Sequence, residues 1–190
     1  SDELTGGYLY FLNSPCSIDF DKECRRLLEN IHTFDVLRSD RCISCHGLEP
    51  RTPFLDRTFV NHYLSLAINM RNPLTSTINK NRCEKQLLRT ALERVYPDLL
   101  PSNILWRTKE AFSDGVSGEN GSWFEIIQNK LKVNNIKFTS NSKHNIPTST
   151  EQIYYRSIYD KHYFGTERCI PYFWMPNYVD ADDCSARTLD

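Results

Sequence analysis

Between Asp19 and Cys45 the chain carries neither proline nor glycine, while Phe20, Cys24, Leu27, Leu28, Ile31 and Phe34 recur every three or four residues. That period gathers apolar side chains onto one helix face and does not fit a strand, whose faces alternate at every second residue. Gly47 is the first glycine after the run, so the pattern predicts one long amphipathic helix ending near Cys45. The same period returns at Phe59, Val60, Tyr63, Leu64 and Ala67 behind Asp56, an N-cap residue type, and is expected to close between Asn69 and Pro73. A third helix is expected through Glu84, Leu87, Leu88, Ala91, Leu92 and Val95, before a loop bracketed by Pro97 and Pro101. A fourth is expected around 122–131, carrying Trp123, Phe124, Ile127 and Leu131. The polar stretch 137–150 reads as a surface loop. Capping-box spacing at Ser149 and Gln152 then opens a fifth helix with Tyr155, Ile158, Tyr159 and Tyr163 on one side. With no internal repeat, hairpin alternation or parallel-strand run, the chain is predicted to be mainly α-helical around one core.

Charge and length narrow the function classes. The 190 residues hold 23 Lys+Arg against 24 Asp+Glu, a net charge of -1. Such balance argues against a general electrostatic grip on nucleic acid or an anionic membrane. No apolar run approaches the ~18 residues of a membrane span. The length suits one globular domain or part of a larger one. Seven scattered cysteines, an odd number, point to a reduced, cytoplasmic setting rather than a disulfide framework. A first residue of serine suggests a chain processed or cut from something longer, which leaves targeting signals unread.

Four groups of residues could carry chemistry. Asp35 and Arg38 interrupt the apolar stripe, either as a semi-buried ion pair or as charges facing a ligand cleft. Cys42-Ile43-Ser44-Cys45-His46 has the spacing of c-type haem attachment or of half a zinc site. The helical period instead puts both cysteines on the core-facing side, as reduced packing residues. In Trp106-Arg107-Thr108-Lys109-Glu110-Ala111-Phe112-Ser113-Asp114-Gly115-Val116 charges sit beside two aromatics. Either this is a solvated loop anchored by Trp106 and Phe112, or Lys109 is an ammonium that neutralises charge on phosphate. Asp2 and Glu3, before the glycine pair Gly6-Gly7, are carboxylates of the kind that hold a hard cation with nucleotide phosphates.

Taken in order, Ser1-Asp2-Glu3-Leu4-Thr5-Gly6-Gly7-Tyr8, Phe34-Asp35-Val36-Leu37-Arg38, His46-Gly47-Leu48-Glu49-Pro50-Arg51-Thr52-Pro53-Phe54-Leu55-Asp56, Lys85-Gln86-Leu87-Leu88-Arg89, Ile104-Leu105-Trp106-Arg107-Thr108-Lys109-Glu110-Ala111-Phe112-Ser113-Asp114-Gly115, Tyr154-Tyr155-Arg156, Trp174-Met175-Pro176 and Ser185-Ala186-Arg187 resemble the carboxy-terminal part of the glutamine-hydrolysing asparagine synthetases. The resemblance implies a two-domain enzyme. A glutaminase releases ammonia, and an α/β adenine-nucleotide hydrolase-like (PP-loop ATP pyrophosphatase) domain activates aspartate with ATP and magnesium as β-aspartyl-AMP. Ammonia attack then gives asparagine, with AMP and pyrophosphate released. Residues 1–190 would be the helical, later portion of that synthetase domain, with the PP-loop and glutaminase outside them. It further implies that Asp2 helps hold magnesium on the pyrophosphate, with Asp2, Glu3 and Lys109 as the nucleotide-facing residues. Asp35 and Arg38 would line the aspartate and ammonia side, and Lys109 would stabilise the adenylation transition state. A homodimer is left open, and no nucleic-acid or membrane partner is expected. Pro50 and Thr52, where the family usually has an aliphatic or alanine and a valine, and Cys42 and Cys45, where it has small residues, depart at positions read as structural. Two alternatives are a β-lactam-forming synthetase that adenylates a carboxylate, and a non-catalytic relative kept for partner binding. The resemblance together with the charged break in the stripe predicts that Asp35 and Arg38 share a cleft with Lys109.

Overall fold

The computed structural model describes residues 1–76, 82–110, 123–133, 143–181 and 184. The chain is mainly helical, with no strand among the described residues. In place of a single core there are two compact units. One comprises Ser1–Lys109 with Asn177–Val179 among its described residues, and the other is built from residues after Lys109.

In the first unit, α1 (Asp2–Thr5) leads through a 3-10 turn at Leu9–Asn13 to α2 (Ser17–Asn30). Leu4, Phe11, Phe20 and Cys24 are fully buried where α1 packs on α2, with Tyr10, Leu27 and Tyr63 closing the cluster. Phe11 meets Phe20 edge-on at 5.2 Å and stacks on Tyr10 at 4.9 Å. Side chains of this size contribute about 1.5–3 kcal/mol each when fully buried. Burial pushes the Cys24 thiol up to about 12, which leaves it an inert core group.

The helix predicted to run unbroken to Cys45 stops at Asn30. A 3-10 turn, Ile31–Thr33, and the irregular backbone of Phe34 intervene before α3 (Asp35–Ser44) begins. Three polar side chains here bond to carbonyls at the end of α2. Asn30 donates to the Arg26 carbonyl at 2.9 Å, Thr33 donates to that of Asn30 at 2.7 Å, and His32 Nδ1 lies 3.0 Å from that of Glu29. Such local bonds compete with the helical ladder, and apolar spacing does not report them.

Asp56 caps α4 (Arg57–Ser65) as expected, accepting the Phe59 amide hydrogen at 3.0 Å. A separate short helix, α5 (Ile68–Arg71), follows instead of a tail of α4. Arg71, 2% exposed, donates to Asp21 and thereby fastens α5 to α2. After α6 (Gln86–Val95), the proline-bracketed loop carries one helical turn, α7 (Ser102–Leu105).

The second unit contains α8 (Trp123–Val133) and α9 (Thr150–His162), which pack together. Ser149 accepts from the Gln152 amide at 3.2 Å, while the Gln152 side chain accepts from the Thr148 amide at 2.8 Å. The predicted cap is therefore made with its return bond one residue early. The buried side chain of α9 is Arg156, which donates to Asp160 at 2.9 Å and to the carbonyls of His144 and Asn145. Tyr155, Ile158 and Tyr163, expected together on one side, are exposed. Of the loop 137–150, residues 137–142 and the start of the fourth helix at Ser122 lie outside the described residues. Pro147, within its described part, is buried.

Candidate functional site

α1 places two carboxylates in its first turn, and Gly6 ends it in the left-handed region at φ 61°. The paired glycines have separate reasons. A Cβ on Gly6 would lie 2.6 Å from the Phe20 ring, and one on Gly7 would lie 2.9 Å from Asp2 Cα. Tight reversal over Gly6-Gly7 brings Tyr8 back onto α1, where its hydroxyl donates to Glu3 Oε1 at 2.6 Å. Burial, then the charge of Glu3, pushes the Tyr8 hydroxyl far above its ordinary value, so it stays a donor.

Asp2 is held by two ammonium groups. Lys85 pairs with Oδ1, and Lys109 Nζ lies 3.4 Å from Oδ2. Burial alone would raise the Asp2 carboxyl, but the hydrogen bond and charge of Lys85, with the charge of Lys109, hold it below the usual carboxylate value. Lys85 precedes α6 with φ 57°, an uncommon conformation for a side chain with a Cβ.

Lys109 is positioned from below by a buried pair. Glu84, 2% exposed, accepts the Lys109 amide hydrogen at 2.8 Å and pairs with Arg89. Arg89 also donates to the Leu105 carbonyl. These bonds tie the loop at both ends of Leu105–Lys109 to the start of α6. Trp106, the expected anchor, donates to Glu93 at 2.8 Å. Its partner Phe112, with Ala111–Val116, lies outside the described residues.

Beside Asp2 opens a cavity of about 340 Å³, lined by Asp2, Glu3 and Tyr8, by Asp35, Val36 and Ser39 of α3, and by the 51–55 segment. Asp35 pairs with Arg38, whose side chain is 74% exposed. Burial, then the adjacent Glu3 charge, raises the Asp35 carboxyl against the opposing effect of Arg38. Asp2, Glu3 and Asp35 thus meet in one cavity wall. Of the three residues expected to share a cleft, only Asp35 lines this cavity; Arg38 pairs with Asp35 and Lys109 with Asp2, outside its lining. Thr52, read as a packing position, also lines the cavity.

The cysteines contradict the sequence reading. Cys42 and Cys45 are both exposed, because the break before α3 separates its face from the buried stripe of α2. Among the described residues no group of three or more His, Cys, Asp or Glu could hold a metal, and no helix is long and apolar enough to cross a membrane. Glu84, Arg89 and Lys85 are the members of the site to which sequence reasoning gave no role. The signal available was the one used for Asp35: a charge set within an apolar helical period.

Residues 14–168 match the asparagine synthase family. Among curated proteins, the whole chain is 46% identical to asparagine synthetase [glutamine-hydrolyzing] of Gallus gallus, 45% to that of Bos taurus and 43% to that of Homo sapiens. In each case it covers 33% of the relative, so the chain spans about a third of their length.

Proposed function

Because the chain belongs to the asparagine synthase family, we propose that it forms the carboxy-terminal part of the synthetase domain of a cytoplasmic, glutamine-hydrolysing asparagine synthetase. In this reading the described helices complete an α/β adenine-nucleotide hydrolase-like domain whose PP-loop, like the glutaminase, lies outside residues 1–190. The β-carboxylate of aspartate attacks the α-phosphate of ATP, forming β-aspartyl-AMP and expelling pyrophosphate. Ammonia from glutamine then attacks the acyl carbon and expels AMP.

The observation that carries the reading is the double fixation of Lys109, through its ammonium on Asp2 and its amide on buried Glu84. Adenylation builds negative charge on the α-phosphate and the leaving pyrophosphate. A positive group held in place beforehand meets that charge with little reorganisation. Arriving phosphate oxygens would compete with Asp2 for Lys85 and Lys109, which gives both ammoniums a second partner of the same sign. Arg38, an exposed planar fork paired with Asp35, suits the α-carboxylate of aspartate, while Asp35 and Glu3 suit its ammonium.

Magnesium fits this donor set only in part. Asp2 offers a hard oxygen ligand, and phosphate oxygens and waters would have to complete the shell, as is usual for that ion. Its contribution when bound is charge neutralisation on the pyrophosphate.

The test is pyrophosphate release by the full-length protein supplied with ATP, aspartate and ammonia, which bypasses any glutaminase. Lys109→Ala should lower the rate by roughly two to three decades, about 3–4 kcal/mol, with the fold intact. Lys109→Arg should rescue poorly, since a fork does not replace a compact ammonium. Retention of more than about a tenth of the rate means a loss under ~1.4 kcal/mol and rejects the role.

A further inference from the structure

We infer that Cys42 and Cys45 are a reversible oxidation site, a dithiol that closes to a disulfide by unwinding the last turn of α3. Both thiols are exposed, and Cys45 Sγ donates to the Cys42 carbonyl at 3.3 Å, which lays it back over the turn that carries Cys42. Three residues along a helix with a 1.5 Å rise and 2.3 Å radius, the two Cα atoms stand about 5 Å apart, within the disulfide range. The Cβ atoms stand about 5–6 Å apart, against the ~3.5–4.5 Å a disulfide takes. A regular helix therefore keeps the pair reduced, and closure requires this turn to open.

This is the place in α3 where opening is easiest. Cys45 is the first residue beyond the helix. The His46 and Gly47 amides reach back only three residues, to the carbonyls of Ile43 and Ser44. Gly47 reverses the chain at φ 72°, with nothing within 4 Å of where a Cβ would stand. Asp35 and Ser39, on the preceding turns, line the cavity, and the segment after Gly47 supplies its wall from Arg51 to Leu55. Opening this turn to close the dithiol rearranges the stretch of chain that joins these two walls. The modification thereby reaches the cavity without a residue inside it being touched.

The chemistry balances with a peroxide as oxidant. One thiolate attacks the peroxide oxygen and becomes a sulfenic acid as water leaves. The second thiol attacks that sulfur, forms the S–S bond and expels a second water. The pair loses two electrons and the peroxide gains them.

The inference is independent of the proposed activity, and so is its test. Arg41 and Arg51 bracket a tryptic peptide, 42–51, that contains both cysteines and no other. After the full-length protein is treated with hydrogen peroxide, this peptide should appear two hydrogens lighter, exceeding its sulfinic form by about tenfold because the second step is intramolecular. Dithiothreitol should reverse it, and Cys42→Ser should abolish it. Oxidation should also speed amide exchange over residues 51–56 in the wild type and leave Cys42→Ser unchanged. A peptide that stays reduced while exposed Cys16 and Cys169 oxidise, or that goes mainly to sulfinic acid or to a mixed disulfide, overturns the site. An internal disulfide with unchanged exchange overturns the coupling to the cavity.

Discussion

Asp2 and Asp35 share one cavity wall and are displaced in opposite directions, Asp2 downward by two lysines and Asp35 upward by burial and Glu3. The signs separate cleanly by linkage. A depressed carboxyl contributes stability above its unfolded value, near 4, and loses it as pH falls through its folded value. A raised one contributes only below about pH 4 and loses that contribution as pH rises through its folded value. Asp2→Asn should therefore lower Tm at pH 7, and Asp35→Asn should raise it, with both differences closing as the solution is taken toward pH 3. Loss of the Arg38 partner changes little, since that side chain is mostly in water. Thermal scans of both variants at the two pH values decide it, and equal signs at pH 7 reject the assignment. At this scale the site was half legible. Asp35 and Arg38 stood out as charges in an apolar stripe, whereas for Lys109 and Asp2 the residues offered a phosphate or cation role beside a bland one, and the resemblance chose between them. Glu84 and Arg89 were given no role, because their value lies in contacts with Lys109 and Leu105 many residues on.

Helices were read well where a side chain starts them and poorly where side chains end them. Asp56 and Ser149 bind the amide three residues ahead, a spacing visible in the sequence, and both caps are made. The stop after Asn30 depends on Asn30, His32 and Thr33 turning onto carbonyls behind them, and each is an ordinary helix-surface residue by composition. Because that stop rotates α3 off the buried stripe, one missed boundary also misplaced Cys42 and Cys45. The caps and the clamp at α6 differ in size. Asp56→Ala removes one hydrogen bond at an exposed helix start and should cost about 1 kcal/mol. Arg89→Met leaves the Glu84 carboxylate buried without its cation and should cost about 3–5 kcal/mol. Urea unfolding of the two variants should rank them in that order. A cap variant as damaging as the clamp variant would show that α6 is fastened by something else.

The chain leaves the first unit after Lys109 and returns to it at Asn177. The return is made on Glu23, a carboxylate 2% exposed that accepts from Tyr10 at 2.7 Å, from two Arg26 nitrogens at 2.7 Å and from Asn177 at 2.6 Å. Tyr178 adds a bond to the Asp19 carbonyl at 3.1 Å. Burial would raise the Glu23 carboxyl, but its donors hold it down, so its contribution is full above about pH 4 and fades in acid. Glu23→Ala, which removes the common acceptor of Tyr10, Arg26 and Asn177, should cost about 3 kcal/mol at pH 7. A urea midpoint within error of wild type would refute this. The latch also has a timetable. Asn177 lies 154 residues from Glu23, and closing so long a loop costs about 4 kcal/mol of chain entropy. At roughly 5–20 residues per second of synthesis, Glu23 leaves the ribosome about 8–30 seconds before Asn177 does. The nascent first unit must wait that long with a charged core position incompletely satisfied, and that interval is when a chaperone would find it open.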